Sequence, residues 1–347
     1  MVLKAVTTMA SKDLPPLTAS MGSLFMQSQF RTKPKAPPPS ATLSGQTALI
    51  TGSNIGIGLE CSRQFLKLQV AHLILGVRTV QKGEEAAAPL RKAYPSAVIE
   101  VWPLDMLSYK SIEGFVERCQ KLKRLDVAVL NAWMTSPMFN INQSTGHEEI
   151  FQVNYLSTAM LSILLLPILS QQTPDKRTPG RLTIVSSGVG LISKFPNLKA
   201  APLIPSFEYG TGWNINAATE RYGSSKTVLL MFVSKVSELI DAGKVVINAV
   251  DPGFVQGTGL HRHMGGGFRA IFAIMKMVSA RSLEQGAWAY VDAAVVRGGE
   301  THGSFLMDYK VCPYHALMYT EAGKEATERL WEETLQEFEF VNAKALV

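Results

Sequence analysis

Apolar runs of strand length alternate along this chain with segments whose apolar residues recur at helical spacing. Thr47, Ala48, Leu49 and Ile50 form the first run, and a helical pattern over 57–68 follows it. Strands are then expected at 72–76, 98–102 and 127–131, separated by helices over 83–92 and 108–122. A helix over about 147–168 and a strand at 182–186 continue the rhythm. A helix from Tyr222 to about 241, a strand at 245–250 and a short strand at Phe305 and Leu306 complete it. Alternation of this kind predicts βαβ units and a parallel sheet, an α/β fold of the doubly wound class. The longest apolar stretch, 156–169, falls short of the ~20 residues that a membrane helix needs. It is interrupted by Ser157, Thr158, Ser162 and Pro167, and a buried core helix is expected there.

The pattern starts only at Gln46. A doubly wound domain takes roughly 200–250 residues, so the 347-residue chain has about a hundred to place elsewhere. We assign 1–45 to a proline-rich arm, 46–310 to the α/β domain, and 311–347 to a helical tail packed on that domain. In the arm, Pro15, Pro16 and Pro37 to Pro39 impose extended backbone. Leu24, Phe25, Met26 and Phe30 lie between them and fit either a short apolar clip on the main body or a loose tail.

The net charge of +6 leaves nucleic acid, an anionic membrane or an anionic cofactor as partners. Its location narrows the choice. Residues 1–45 hold five cations and one acid, so the remaining chain has 34 − 5 = 29 cations and 28 − 1 = 27 acids. The body is therefore near neutral, and no nucleic-acid partner is expected. Cys61, Cys119 and Cys312 are too dispersed for a metal set or a disulfide framework. They read as idle thiols of a reducing compartment, with the cytoplasm the expected location. His261 and His263 have no further ligand nearby, so no metal site is expected.

Chemistry enters at the turn after the first strand, Thr51-Gly52-Ser53-Asn54-Ile55-Gly56-Ile57-Gly58. A glycine turn that leaves a strand and opens a helix lets backbone approach a pyrophosphate at the helix N-terminus. Its spacing, Gly-x-x-x-Gly-x-Gly, resembles that of the short-chain dehydrogenase/reductase family. Downstream, Tyr222 and Lys226 stand four apart, on one face of a helix. An ammonium beside a phenol favours the phenolate and tunes it for proton transfer.

The resemblance covers roughly 46–310 and is nearest to the retinol-dehydrogenase-like branch, particularly its fungal-type reductases. It implies a Rossmann-type fold and a catalytic set of Asn154, Ser187, Tyr222 and Lys226. Ser186 is the alternative to Ser187, with Gly190 fixing the register. Asn154 would hold a relay water. Gly52, Ser53, Asn54, Gly56, Ile57 and Gly58 would bind the cofactor, with Asp105 on the adenine and Met106 beside it. Asn131 and Ala132 match the start of an Asn-Ala-Gly motif whose glycine is Trp133 here. That indole either covers the active-site mouth or crowds the cofactor. Val255 and Thr258 would contact the carboxamide.

An NAD site carries an acid at the end of its second strand. Here Arg78 stands there, followed by Lys82, two cations that suit a 2′-phosphate and point to NADP(H). The expected activity is hydride transfer between nicotinamide and a hydrophobic ketone, aldehyde or alcohol, in secondary-metabolite biosynthesis. Two segments are expected to shape the substrate site. One is the insert 188–221, carrying Phe195, Phe207, Tyr209 and Trp213. The other is a glycine-flanked lid over 260–280. Membrane contact through that lid and a homo-oligomer both stay open. The competing reading, carried by Trp133, is a non-redox role as a cofactor-binding sensor or a rearrangement catalyst.

Overall fold

The computed structural model describes residues 9–18, 20–171, 178–256 and 280–347. Eight strands form one sheet in the order β3-β2-β1-β4-β5-β6-β7-β8. They are β1 (Thr47–Thr51), β2 (His72–Val77), β3 (Val98–Pro103), β4 (Val127–Leu130), β5 (Gly180–Val185), β6 (Val245–Val250), β7 (Ser304–Met307) and β8 (Lys310–Cys312). All pairs are parallel except β7 with β8. The order reverses between β1 and β4, and sheets of this class bind ligands beyond the strand ends at such a point.

Successive residues of each strand point to opposite faces, and both faces are buried. Leu49, Ile74, Ala128, Ile184 and Ala249 belong to one core. Their neighbours Ile50, Leu75, Val129, Val185 and Val250 belong to the other. The first core is closed by α4 (Tyr109–Cys119), α5 (Glu149–Ser170), α6 (Ile215–Leu239) and α8 (Glu321–Glu337). The second is closed by α2 (Gly56–Lys67), α3 (Val80–Ala93) and α7 (Leu283–Val291). The most apolar window of α5 is 83% buried, as expected of a core helix.

Four features differ from the sequence expectation. The catalytic helix α6 starts at Ile215, because the Asn214 side chain accepts the Asn216 and Ala217 N–H groups and caps it there. Helix α7 was not anticipated. It is short, and its start is a capping box between Ser282 and Gln285. Strand β8 carries the sheet past residue 310, the expected domain boundary. The arm is the fourth difference. It folds as α1 (Met21–Met26), capped by Ser20, and continues as a wider π turn over Gln27–Arg31.

The C-terminal tail docks through Leu330, Trp331 and Phe338 in the first core. His147 lies between Glu208 and Glu337, 2.9 Å from each. Burial lowers the His147 imidazole, but the two carboxylates outweigh it and raise the group above its usual value. All three cysteines are buried free thiols.

Candidate active site

The turn between β1 and α2 is built around glycines. Gly52 and Gly56 adopt left-handed backbone, φ 64° and 60°, which side chains disfavour. Gly58 is glycine for space. A Cβ there would stand 2.6 Å from both Asn131 Nδ2 and the Gly52 carbonyl. Gly58→Ala is therefore expected to cost about 1–3 kcal/mol, read by urea unfolding, because neither neighbour can retreat without opening the turn.

Asn131 holds that turn. Its Nδ2 donates to the carbonyls of Thr51 (2.8 Å) and Gly52 (3.2 Å), and its Oδ1 accepts from the Tyr290 hydroxyl. The Asn131 and Ala132 N–H groups both donate to Thr51 Oγ1 at 2.9 Å. Asn131 thus shapes the cofactor turn and has no side-chain donor left for a ligand.

Two of the expected cofactor residues have side chains turned into the protein. Ser53 is fully buried and its hydroxyl donates to the Ile50 carbonyl, so it stabilises the turn rather than reaching outward for a phosphate. The Met106 side chain belongs to the first core, and its carbonyl accepts from Ser157 Oγ. Asn54 is half-buried. Asp105 directs Oδ1 to the Leu107 N–H. Arg78 and Lys82 are exposed at the end of β2 and in the first turn of α3. Neither forms an ion pair among the described residues, and that turn carries no acid. Thr258 and the segment 257–279 lie outside the described residues.

The catalytic candidates meet at the ends of β5 and β6. Ser187 lies two residues beyond the end of β5 and shares a hydrogen bond with the Tyr222 hydroxyl. Ser186 Oγ is buried with no hydrogen-bond partner among the described residues. Lys226 is 2% exposed and donates from Nζ to the Val185 carbonyl at 2.9 Å. Gly190 lets the serine loop approach the helix, since a Cβ there would lie 3.0 Å from the Lys226 backbone.

One expectation for this set changes. The Tyr222 phenol is raised well above its usual value, by burial and then by Asp251, with Ser187 only partly offsetting the rise. Burial brings Lys226 down to about 7, countered in part by Asp251. The lysine does not pull the phenol down in this state. Asn154 sits on a π turn, Gln152–Leu156, within α5. Its Oδ1 accepts from the Met134 N–H, and its Nδ2 donates to the Met134 carbonyl and Ser225 Oγ. Its side chain fastens the loop after β4 to the helices, and none of these bonds goes to the lysine.

Asp251 is the site residue that the sequence reading did not single out. Its carboxylate accepts the Gly188 and Gly253 N–H groups, tying the serine loop to the loop after β6. Burial raises it to about 6, against the pull of Arg281. The only sequence cue was its place immediately before Pro252-Gly253.

These groups line a chamber of about 470 Å³ whose remaining walls are mostly apolar: Leu24, Phe25, Trp133, Ile192, Phe254 and Met307. Trp133 stands edge-on to Tyr222, ring centroids 5.6 Å apart. None of the four insert aromatics lines the chamber. Phe195 and Phe207 are core residues, Tyr209 is 74% exposed, and Trp213 packs on Phe139. The insert was expected to shape the substrate site through these rings. Phe195, Phe207 and Trp213 attach the insert to the body instead, and Tyr209 faces outward.

A doubly wound sheet with a glycine turn at its switch point, and a serine, tyrosine and lysine gathered at the strand ends, defines a nucleotide-dependent oxidoreductase architecture. The family model of the short chain dehydrogenase matches residues 46–198. The chain is 46% identical over 340 residues to the short chain dehydrogenase/reductase mfmJ of Annulohypoxylon moriforme, covering 97% of this chain and 98% of that one. It is 40% identical to the short chain dehydrogenase virL of Hypocrea virens, covering 93% of each. The protein therefore belongs to the short-chain dehydrogenase/reductase family and is an oxidoreductase. Among solved structures, the fold is similar to the NADPH-dependent 3-quinuclidinone reductase of Rhodotorula rubra. That match has a TM-score of 0.59 and 20% identity, over 80% of this chain and 97% of the other.

Proposed function

We propose that the protein is an NADP(H)-dependent reductase of apolar ketones or aldehydes. The observation that carries this reading is the chamber itself, where Tyr222 and Ser187 present bonded hydroxyls against apolar walls.

Several features suit a bound dinucleotide. The glycine turn admits close backbone approach, and Ser186 Oγ is an orphaned buried polar atom on the chamber wall. Arg78 and Lys82 are two exposed cations beside the positive end of α3, an arrangement that favours an anion. On this reading they hold the 2′-phosphate, Gly52 to Gly58 accommodate the pyrophosphate, and Asp105 faces the adenine. Val255 and the Pro252-Gly253 loop cover the nicotinamide. The cofactor, when bound, exchanges hydride with the substrate carbon.

The chain's own residues do the rest. Ser187 orients the carbonyl oxygen, and Tyr222 gives it a proton. Lys226 supplies positive charge beneath the phenol. The partner is a hydrophobic small molecule, and the reducing cytoplasm favours reduction. The two relatives described above are both fungal, and secondary-metabolite biosynthesis is the setting we assign.

Cofactor preference is the direct test. Charge-assisted hydrogen bonds contribute about 1.5–3 kcal/mol each. Replacing Arg78 and Lys82 together by alanine should raise KM for NADPH by roughly tenfold to a hundredfold or more, and barely move KM for NADH. Equal changes for both cofactors would refute the assignment of the 2′-phosphate.

A further inference from the structure

The arm read from the sequence as a clip or a loose tail forms one side of the chamber. Gly22, Leu24, Phe25, Ser28 and Gln29 face the same cavity as Ser187 and Tyr222. We propose that α1 and its π turn are the substrate-recognising wall, with Phe25 in contact with a ring-bearing apolar carbonyl compound.

The first argument is that the wall is fixed. Arg281 is 4% exposed, and its guanidinium donates to the Ser28 carbonyl (3.1 Å), the Pro252 carbonyl (3.1 Å) and Asp308 Oδ1 (2.5 Å). Ser28 Oγ donates to the same Asp308 oxygen at 2.8 Å. One buried arginine thus joins the arm, the loop after β6 and the turn after β7. The guanidinium packs directly on Gly253, where an added Cβ would come within 2.6 Å of it. The Gly253 N–H is in turn held by Asp251, which also holds the serine loop at Gly188.

A second anchor lies upstream. Ser11 is fully buried; its hydroxyl donates to the Cys312 carbonyl and accepts from the Phe305 N–H, and its carbonyl accepts from the Tyr319 hydroxyl. The helix therefore hangs between two buried attachment points at Ser11 and Ser28. A segment held only as a tether would need neither.

The second argument is chemical. Phe25 is edge-on to Phe254, centroids 5.9 Å apart. Trp133 is edge-on to Tyr222. The chamber therefore offers aromatic surface on the arm side and again at the reacting hydroxyl. Aromatic walls favour flat rings through offset and edge contacts. Ser187, Tyr222, Lys226 and Asp251 gather at the reacting end, while Leu24 and Phe25 supply apolar surface on the arm beside Ser28 and Gln29, so a substrate is held by its carbonyl at one end and by its apolar body against those two side chains.

This inference rests on the carbonyl-reductase reading, and the test separates the two. 2-Tetralone is titrated calorimetrically into the full chain without cofactor, and its turnover with NADPH is measured in parallel. Phe25→Ala is expected to weaken Kd and raise KM about tenfold or more, with a smaller fall in kcat. Phe25→Leu, which keeps packing against Phe254, should fall between, and it guards against an alanine variant that does not fold. Wild-type Kd in both variants would overturn the proposal, as would a wild-type protein that does not bind 2-tetralone. Tight binding weakened by Phe25→Ala, with no NADPH consumed by any carbonyl, would support the arm as the recognising wall. The same result would refute the reductase reading.

Discussion

Tyr222→Phe is expected to lower kcat for carbonyl reduction by about a thousandfold, within the range that a positioned proton donor contributes. The substitution removes one oxygen from a buried ring, so the fold and the affinity for cofactor should stay close to wild type. Burial and the nearby Asp251 hold the phenol above its ordinary value, so it is protonated across the neutral range and ready to act as an acid. Two groups of the site are brought towards neutrality in the unliganded protein, Asp251 at about 6 and Lys226 at about 7, and the lysine is the one beneath the phenol. Because kcat/KM reports groups of the free enzyme, its profile for reduction should fall as pH rises through about 7 and the ammonium loses its charge. Asp251 raises Lys226 towards its charged form. Asp251→Asn should therefore move that limb to lower pH. A profile unchanged in Asp251→Asn would show that the carboxylate acts only by holding Gly188 and Gly253. Full turnover by Tyr222→Phe would remove the mechanism altogether.

The parts of this site that were legible in the sequence are those whose chemistry depends on local spacing. Gly52, Gly56 and Gly58 mark a turn because left-handed backbone and close approach each exclude side chains. Tyr222 and Lys226 share a helix face because four residues make about one turn. The alternation of strands and helices predicts a parallel sheet, and the seven strands expected from it lie side by side in one sheet, to which β8 adds an antiparallel edge. What the sequence concealed depends on distant partners. Ser53 resembles a phosphate ligand until the Ile50 carbonyl is found beneath it. Asn154 is recognisable as a relay candidate from its place in the chain, but its side-chain partners Met134 and Ser225, twenty and seventy-one residues away, are not. Phe195 and Phe207 looked available to a substrate because their burial depends on Phe151, some fifty residues upstream. Arg281 carries no local signature, yet it joins segments from both ends of the chain.

Arg221→Ala is expected to destabilise the protein by about 3–5 kcal/mol, the cost of stranding one partner of a buried ion pair. Arg221 adjoins the catalytic tyrosine and was read in the sequence only as the end of the insert. In the fold, its Nη1 lies 3.0 Å from Glu148 Oε2, with both side chains buried. It also donates to the carbonyls of Phe207 and Tyr209, and its guanidinium packs against the rings of Phe207 and Trp213. Glu148 caps α5 by accepting the Ile150 and Phe151 N–H groups at 3.0 Å. Burial raises the Glu148 carboxyl, while Arg221 and those two amides favour its ionised form. Removing the guanidinium leaves that carboxylate with backbone partners alone and frees two insert carbonyls. The loss should be read by urea denaturation, beside Glu148→Gln and the Arg221→Ala/Glu148→Gln double variant. If stranded charge is the cause, the double variant loses less than the sum of the two single changes. Additive losses would show instead that Arg221 acts by packing against the insert rings. Because Tyr222 follows it on α6, a loosened Arg221 should also lower kcat/KM under conditions where the variant remains folded, as the insert loses its hold on the catalytic helix.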